Sequence, residues 1–372
     1  MSPNVEPSVG NVDSLETQHR QAFENALMRV LNTEVAEETF AEIIDGLPTA
    51  GSFSEFHWTP DTHPSRDHGE LCPGMVERAR EFRANFKATM LDFELPLLSI
   101  FSDTIVGSKT FHLRLLELLA VSCHQIAVHL YKLDGVNHPH HEYQKWVDEP
   151  RDTDKWDSNR RHPTPFCHRA YTNIDQYPNG AADTVGYWAE AKIFGGVLVF
   201  DRGESEIECK ELYLHAGLLD GPYTLFPLTE GQFETLIKFL LHPLDTDVPE
   251  NPLPLRATSE NRWRWSAWDA IAEHHIFRDR YERRVARIKP RPNYRSSVDW
   301  PENADEFYLI NAWYDYSNGE PVDKERIRKA LENLKQITPS SPCWPGGPSR
   351  HPWTNVLFEE TTNGSDHTTE QA

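Results

Sequence analysis

Residues 181–241, AADTVGYWAEAKIFGGVLVFDRGESEIECKELYLHAGLLDGPYTLFPLTEGQFETLIKFLL, hold the most regular patterning in the chain. DTVGYWAEAKIF reads as a helix capped by Asp183, and GGVLVFDRG as a buried strand that ends in charged residues. KELYLHAG reads as a second strand, of alternating type. TEGQFETLIKFLL then opens with Thr229 and Gln232 at capping-box spacing and continues as a helix. Helix, strand, strand and helix in succession predict an α/β or α+β fold with a central sheet flanked by helices.

Outward from this stretch, helices are expected over SLETQHRQAFENALMRVL from Ser14, with Ser14 or Thr17 as cap, over ETFAEII, and from Met75 to Met90. Pro96 is expected to break the next element. FHLRLLELLAVSCHQIAVHLYKLD (111–134) is the most apolar part of the chain. It predicts a buried helix from Lys109 to about Cys123, continuing as helix or strand. SAWDAIAEHHIFRDRYERRVARIK reads as one long helix with a basic far half, and WPENADEFYLINAWYDYS and DKERIRKALENLKQI complete the fold. The expected organisation is a single large globular domain over 14–359 with polar tails at 1–13 and 360–372, and a long polar loop at 134–165. A polar stretch of that length inside a domain points to a functional loop, a lid or disorder.

The composition is 38% hydrophobic and 26% charged over 372 residues, which is globular rather than disordered. A net charge of −21 disfavours general nucleic-acid binding and favours cationic ligands. Cys72, Cys123, Cys167, Cys209 and Cys343 are scattered, without CxxC spacing, so neither a disulfide framework nor a thiolate zinc site is predicted. The start of the chain lacks the pattern of a signal peptide, and the apolar runs are shorter than a membrane span. A cytoplasmic protein with no membrane partner is the expectation. Oligomeric state is not legible.

Four constellations carry chemistry. Asp175, Asp183, Tyr187 and Glu190 form the first. Asp183, Tyr187 and Glu190 share one helix face, where they could bind a cationic group or act as acid and base, or leave Asp183 a plain cap and Glu190 on the surface. The second lies at the end of the buried strand, where ligands of open α/β sheets bind: Asp201 joins the catalytic set, with Arg202 and Glu204 as substrate contacts. His215 on the neighbouring strand is a further substrate contact or a structural histidine. Gly195 and Gly196 lack dinucleotide or P-loop spacing, so no nucleotide cofactor is expected. No cofactor of another kind is predicted.

The third is the histidine-rich loop, His138, His140, His141 and Glu142, with His162 or His168 as additional members. It fits a metal-dependent lyase, hydrolase or oxygenase, or a solvated loop, and its spacing matches no established metal motif. No metal ligand is therefore expected among the site residues. The fourth is the basic segment 278–295, with Arg280, Arg283 and Arg284 at its centre and tyrosines interleaved. It suits a tRNA backbone, or a salt-bridged helix with Asp279 and Glu282. A non-catalytic binding protein anchored by Trp146, Trp156, Trp263, Trp265 and Trp268 is a reading of another class. No G-x-S-x-G elbow is present, and Cys167 beside His168 is not a dyad signature.

DQYPNGAADTVGYWAEAKIFGGVLVFDRG (175–203) and HQIAVHLYKLD (124–134) resemble an uncharacterised ascomycete protein family, which implies a fungal source but no mechanism. The combination of acidic residues for an arginyl group and a basic segment for tRNA also resembles the fungal arginine-containing cyclodipeptide synthases, which condense two aminoacyl-tRNAs. That family carries a DDxxE motif. This chain has no Asp-Asp pair, and Asp183 with Glu190 is the nearest substitute. The resemblance implies a transferase of fungal secondary metabolism, with a small-molecule substrate and tRNA as partners.

Overall fold

The computed structural model describes residues 8–133, 140–149, 161–243, 249–283, 289, 296–344 and 352–353. In chain order its helices are α1 (Thr17–Leu31), α2 (Glu34–Asp45), α3 (Ala50–Phe56), α4 (Met75–Asn85), α5 (Leu95–Ser102), α6 (Lys109–Lys132), α7 (His141–Asp148), α8 (Ala181–Phe194), α9 (Glu230–Leu240), α10 (Ala267–Glu273), α11 (Glu302–Ser317) and α12 (Lys324–Asn333). The strands are β1 (Val9–Gly10), β2 (Phe93–Glu94), β3 (Val197–Asp201), β4 (Leu212–His215), β5 (Thr224–Pro227), β6 (Trp265–Ser266) and β7 (Ile276–Phe277). The fold is mixed and mainly helical.

Helices α6 and α8 form its axis. They pack along each other, α1 and α2 lie against α6, and α8 carries β3 on its other side. α6 is a single helix through Lys132, with Ser108 capping its first turn, so AVHLYKL is not a strand. It is long and apolar enough to cross a membrane, but 83% of its apolar window is buried inside the protein. It is the core helix that its apolar run predicts.

β3, β4 and β5 follow one another by short connections and pair antiparallel, with β6 and β7 on the two edges in the order β6-β5-β4-β3-β7. The sheet is antiparallel throughout, so the carboxyl-end rule of open α/β sheets does not apply to it. Successive hairpin-like connections leave no crossover helix, and only a crossover makes neighbours parallel. β4 is buried at all four positions rather than alternating. The segment TLFP, which carries no strand signal because a proline ends it, supplies β5.

Local chemistry accounts for the element boundaries. Thr229 and Gln232 make the expected capping box of α9. Gly195 ends α8 in the left-handed region at φ 89°, and a Cβ there would run into the Leu255 carbonyl, so only glycine fits. Pro96 begins α5 instead of breaking a helix, since the first turn needs no N–H from it. The predicted long helix from Ser266 is interrupted. α10 stops at Glu273, His275 takes φ 54°, and Ile276–Phe277 pair with Asp201 and Phe200 as β7. A positive φ at a non-glycine residue cannot continue a right-handed helix.

Residues 8–13, expected in the tail, contain β1 and a buried Val12. The tail 360–372 lies outside the described residues, as do 134–139 and 150–160 of the polar loop. The rest of that loop contributes α7 and buried Thr164 and Pro165. One hydrophobic core runs from α1 through β7, and a second, smaller one joins α11, α12 and Trp353. Trp188, Trp300 and Trp353 are fully buried, so part of the tryptophan content serves the cores.

Candidate active site

The i, i+4, i+7 spacing on α8 does what it predicts: Asp183, Tyr187 and Glu190 face one direction, toward α6. What they meet there is His124. Its Nε2 lies 3.0 Å from Asp183 Oδ1 and its Nδ1 2.8 Å from Glu190 Oε1, both at hydrogen-bond distance. Glycine inside a helix costs about 1 kcal/mol relative to alanine, and Gly186 shows why it is present. A Cβ on it would lie 2.5–2.6 Å from atoms of the His124 ring. Tyr187 meets the same imidazole edge-on at 4.7 Å and stacks on Tyr171 at 4.4 Å.

Arg278 completes the group. It follows β7 directly, so the pairing of β7 with β3 delivers it to α8. Its Nη1 forms an ion pair with Glu190 Oε1, its Nη2 lies 3.3 Å from His124 Nδ1, and its guanidinium sits 4.8 Å over the Tyr187 ring. Glu282 accepts the Arg278 backbone N–H at 3.0 Å. The Oε2 of fully buried Glu190 has no hydrogen-bond partner among the described residues.

The electrostatics follow from this geometry. Burial disfavours a charged His124, and Arg278 adds to that, yet the hydrogen bonds to Asp183 and Glu190 prevail and raise its pKa above the usual value. Burial pushes the Asp183 carboxyl up, but His124 and the backbone and side-chain N–H groups of Asn179 outweigh it and hold the pKa low. Glu282 is the odd member: burial lifts it to about 7 against the pull of Arg278. Burial opposes the Arg278 charge, and Glu190, Tyr187 and Glu282 hold its pKa well above the usual value.

A cavity of about 140 Å³ opens on this cluster, lined by His124, Gln125, Tyr177, Asp183, Tyr187, Arg278, Asp279 and Tyr281. Beside it, a groove of about 440 Å³ between α6 and the α4–β2 connection is also lined by His124 and Gln125. An imidazolium between two carboxylates can pass a proton in either direction, and Arg278 can stabilise negative charge that develops nearby.

The other predicted residues lie elsewhere. Asp183 is not the cap of α8: Gly180 is, and Asp183 binds Asn179 from inside the first turn. Asp175 is exposed on a 3-10 turn. Asp201 shapes the β3–β4 turn by accepting the Gly203 N–H at 2.8 Å. Arg202 is no surface substrate contact. It is buried, its charge met by Glu117, and it donates to the carbonyls of Phe277 and Arg278, so it positions Arg278. Glu204 is exposed in the turn. His215 is a core histidine against Tyr171 and His168, brought down to about 4 by burial.

Arg280 and Arg283 fall in a short 3-10 turn, not a long basic helix, and Arg284 lies outside the described residues. The first arginine of the segment, Arg278, is engaged in the cluster, with its side chain 7% exposed. In the polar loop, His138 is outside the described residues, His141 and Glu142 are exposed, and His140 reaches Asp45. His162 bonds locally to Thr164 and His168 to the carbonyls of His215 and Ala216. The histidine partner of Cys167 is His57, 3.5 Å from its Sγ, and burial pushes that thiol up to about 12, which keeps it protonated.

Of the proposed tryptophan anchors, Trp146 lies under Arg161, Trp265 packs on His274, Trp268 faces Lys289, Trp263 is exposed, and Trp156 is outside the described residues. Sequence reasoning missed His124 and Arg278. The signal for His124 was the polar pair His124–Gln125 inside the most apolar helix, facing a helix with a glycine at Gly186. Comparison with protein-family models, with curated proteins and with solved structures found no match to this chain.

Proposed function

We propose that the protein is a biosynthetic enzyme that binds the cationic nitrogen group of a small molecule and transfers a proton on it through His124. The observation that carries this is the convergence of Asp183, His124 and Arg278 on a small cavity that shares His124 and Gln125 with a larger groove, with Glu190 buried behind His124. Asp183 and Asp279 supply negative charge for a guanidinium or ammonium, and Tyr177, Tyr187 and Tyr281 supply ring faces that favour a cation. The cavity is large enough for such a head group and little more. His124 then stands where the head-group cavity meets the groove, next to the body of the substrate. Five free cysteines suit a reducing compartment, and we place the enzyme in the cytoplasm.

A cyclodipeptide synthase of fungal secondary metabolism is one form of this reading. The acidic cavity would hold an arginyl side chain; as the α-amino nitrogen of one aminoacyl-tRNA attacks the ester carbonyl of the other and the ester C–O bond to the tRNA breaks, His124 would pass the proton lost by the amine to the leaving ribose oxygen. Any tRNA contact would use residues after Arg278. A heterologous host expressing this chain alone should then accumulate a diketopiperazine, and His124→Asn should abolish it.

The more general reading is tested by binding. Arginine amide should bind the purified protein, and citrulline amide, its neutral urea counterpart, should bind about tenfold or more weakly, corresponding to about 1.4 kcal/mol. Asp183→Asn should remove the preference. Equal binding of the two amides, or binding of neither by folded protein, counts against the proposal.

A further inference from the structure

We infer that Asp45, His68 and His140, with Cys72 beside them, form a binding site for a divalent transition metal of the zinc class. The site is independent of the His124 cluster. Asp45 is the last residue of α2, and its carboxylate is completely buried. That position is doubly unfavourable for an anion, since it is desolvated and sits at the negative end of a helix. Around it stands a set of metal donors. Oδ2 lies 3.1 Å from His68 Nε2 and Oδ1 3.0 Å from His140 Nε2. The ligand atoms of all three residues are within 4.8 Å of one another.

Zinc bonds to nitrogen and oxygen of about 2.0–2.1 Å place tetrahedral ligand atoms roughly 3.3 Å apart. The observed carboxylate–imidazole separations are slightly shorter than this, so a small outward movement of the histidines makes room for an ion. Cys72 donates its backbone N–H to Asp45 Oδ2 at 2.8 Å, and its Sγ is 4.0 Å from His140 Nε2, close to a fourth position. One carboxylate, two imidazoles and a thiol select zinc over the harder alkaline-earth ions.

The donors come from separate parts of the chain. Asp45 is on rigid α2, His68 and Cys72 are on the α3–α4 connection, and His140 is the residue before α7. A metal here would tie the polar loop to the helical body. The two imidazoles also line a groove of about 520 Å³ with Asp67, Glu142 and Glu149 among its walls. The acidic walls raise the local cation concentration, and the groove gives an ion an entry path.

The test uses the full chain without a histidine tag, stripped with a chelator, dialysed against zinc and analysed for bound metal. One zinc per chain is expected for the wild type and for His141→Ala. His68→Ala and His140→Ala should weaken binding by more than the roughly 10–100-fold that loss of a supporting residue causes. Zinc should raise the unfolding temperature of the wild type and not of these variants, which also reports whether each variant folds. Cobalt-loaded wild type should show a thiolate charge-transfer band that Cys72→Ser lacks. Zinc well below one per chain in folded wild type, or undiminished zinc in the His68→Ala/His140→Ala protein, overturns the site. Stoichiometric cobalt without the thiolate band overturns the place of Cys72 in it.

Discussion

Arg278→Met should destabilise the protein by about 3–5 kcal/mol, the cost typical of removing one partner from a buried ion pair. Its guanidinium side chain is 7% exposed, and the Glu190 side chain it meets is completely buried. With the arginine gone, Glu190 keeps His124 alone as a positive neighbour among the described residues, and Glu282 loses the charge that opposes its burial. The arginine also ties β7 to α8, so its loss loosens the edge of the sheet that carries it. A urea titration should show a lower midpoint at an unchanged slope, the mark of lost stability in an otherwise intact fold. Glu190→Gln placed on the same background should recover much of the loss, because it removes the stranded charge. A loss below about 1 kcal/mol, typical of an exposed pair, is the contrary result.

The second large effect is on pH dependence. The Glu282 pKa is raised from its ordinary 4.5 to about 7. A raised carboxyl gives stability that is present below its unfolded value and fades as pH rises through its folded value. A shift of this size is worth about 3 kcal/mol. His124, also raised, loses its contribution in the same alkaline direction. On the acid side His215, brought from 6.5 to about 4, gives stability that is present above 6.5 and is lost as pH falls toward 4. Asp183, held low, is likewise lost on acidification. Between pH 4.5 and 6.5 the loss from Glu282 and the gain from His215 oppose each other, so stability should be nearly level there and decline on both sides. Glu282→Gln should remove the opposing loss, so that stability rises with pH from about 4 to 6.5 through His215 and declines above that through His124. A variant curve parallel to the wild type from roughly pH 5 to 8 contradicts this origin.

These effects depend on residues that differ in how visible they are in the sequence. Asp183, Tyr187 and Glu190 are legible because helical period alone puts them on one face, and the capped helix α9 is legible for the same local reason. β3 and β4 stand out as apolar runs of strand length. The failures are non-local. His124 is 59 residues from Asp183 in the chain, so no spacing rule joins them. Arg278 looks like part of an exposed basic run, because its burial depends on two residues, Ile276 and Phe277, pairing with β3. Strands that short have no periodicity to read. Asp45 and His68 leave no local mark, one at a helix end and the other in a turn-rich connection. The parallel-sheet rule fails for a topological reason, as local patterns of helix and strand do not state how strands are connected.

In the proposed site, His124 lies between two carboxylates that favour its charged form and lines the binding cavity. Nitrogen-15 NMR of histidine-labelled protein, with the His124 signals assigned through His124→Gln, measures this directly. The ring should titrate with a midpoint above the ordinary 6.5, and arginine amide should perturb its signals. A neutral His124 ring at pH 7 that loses its proton at or below the ordinary value would contradict it.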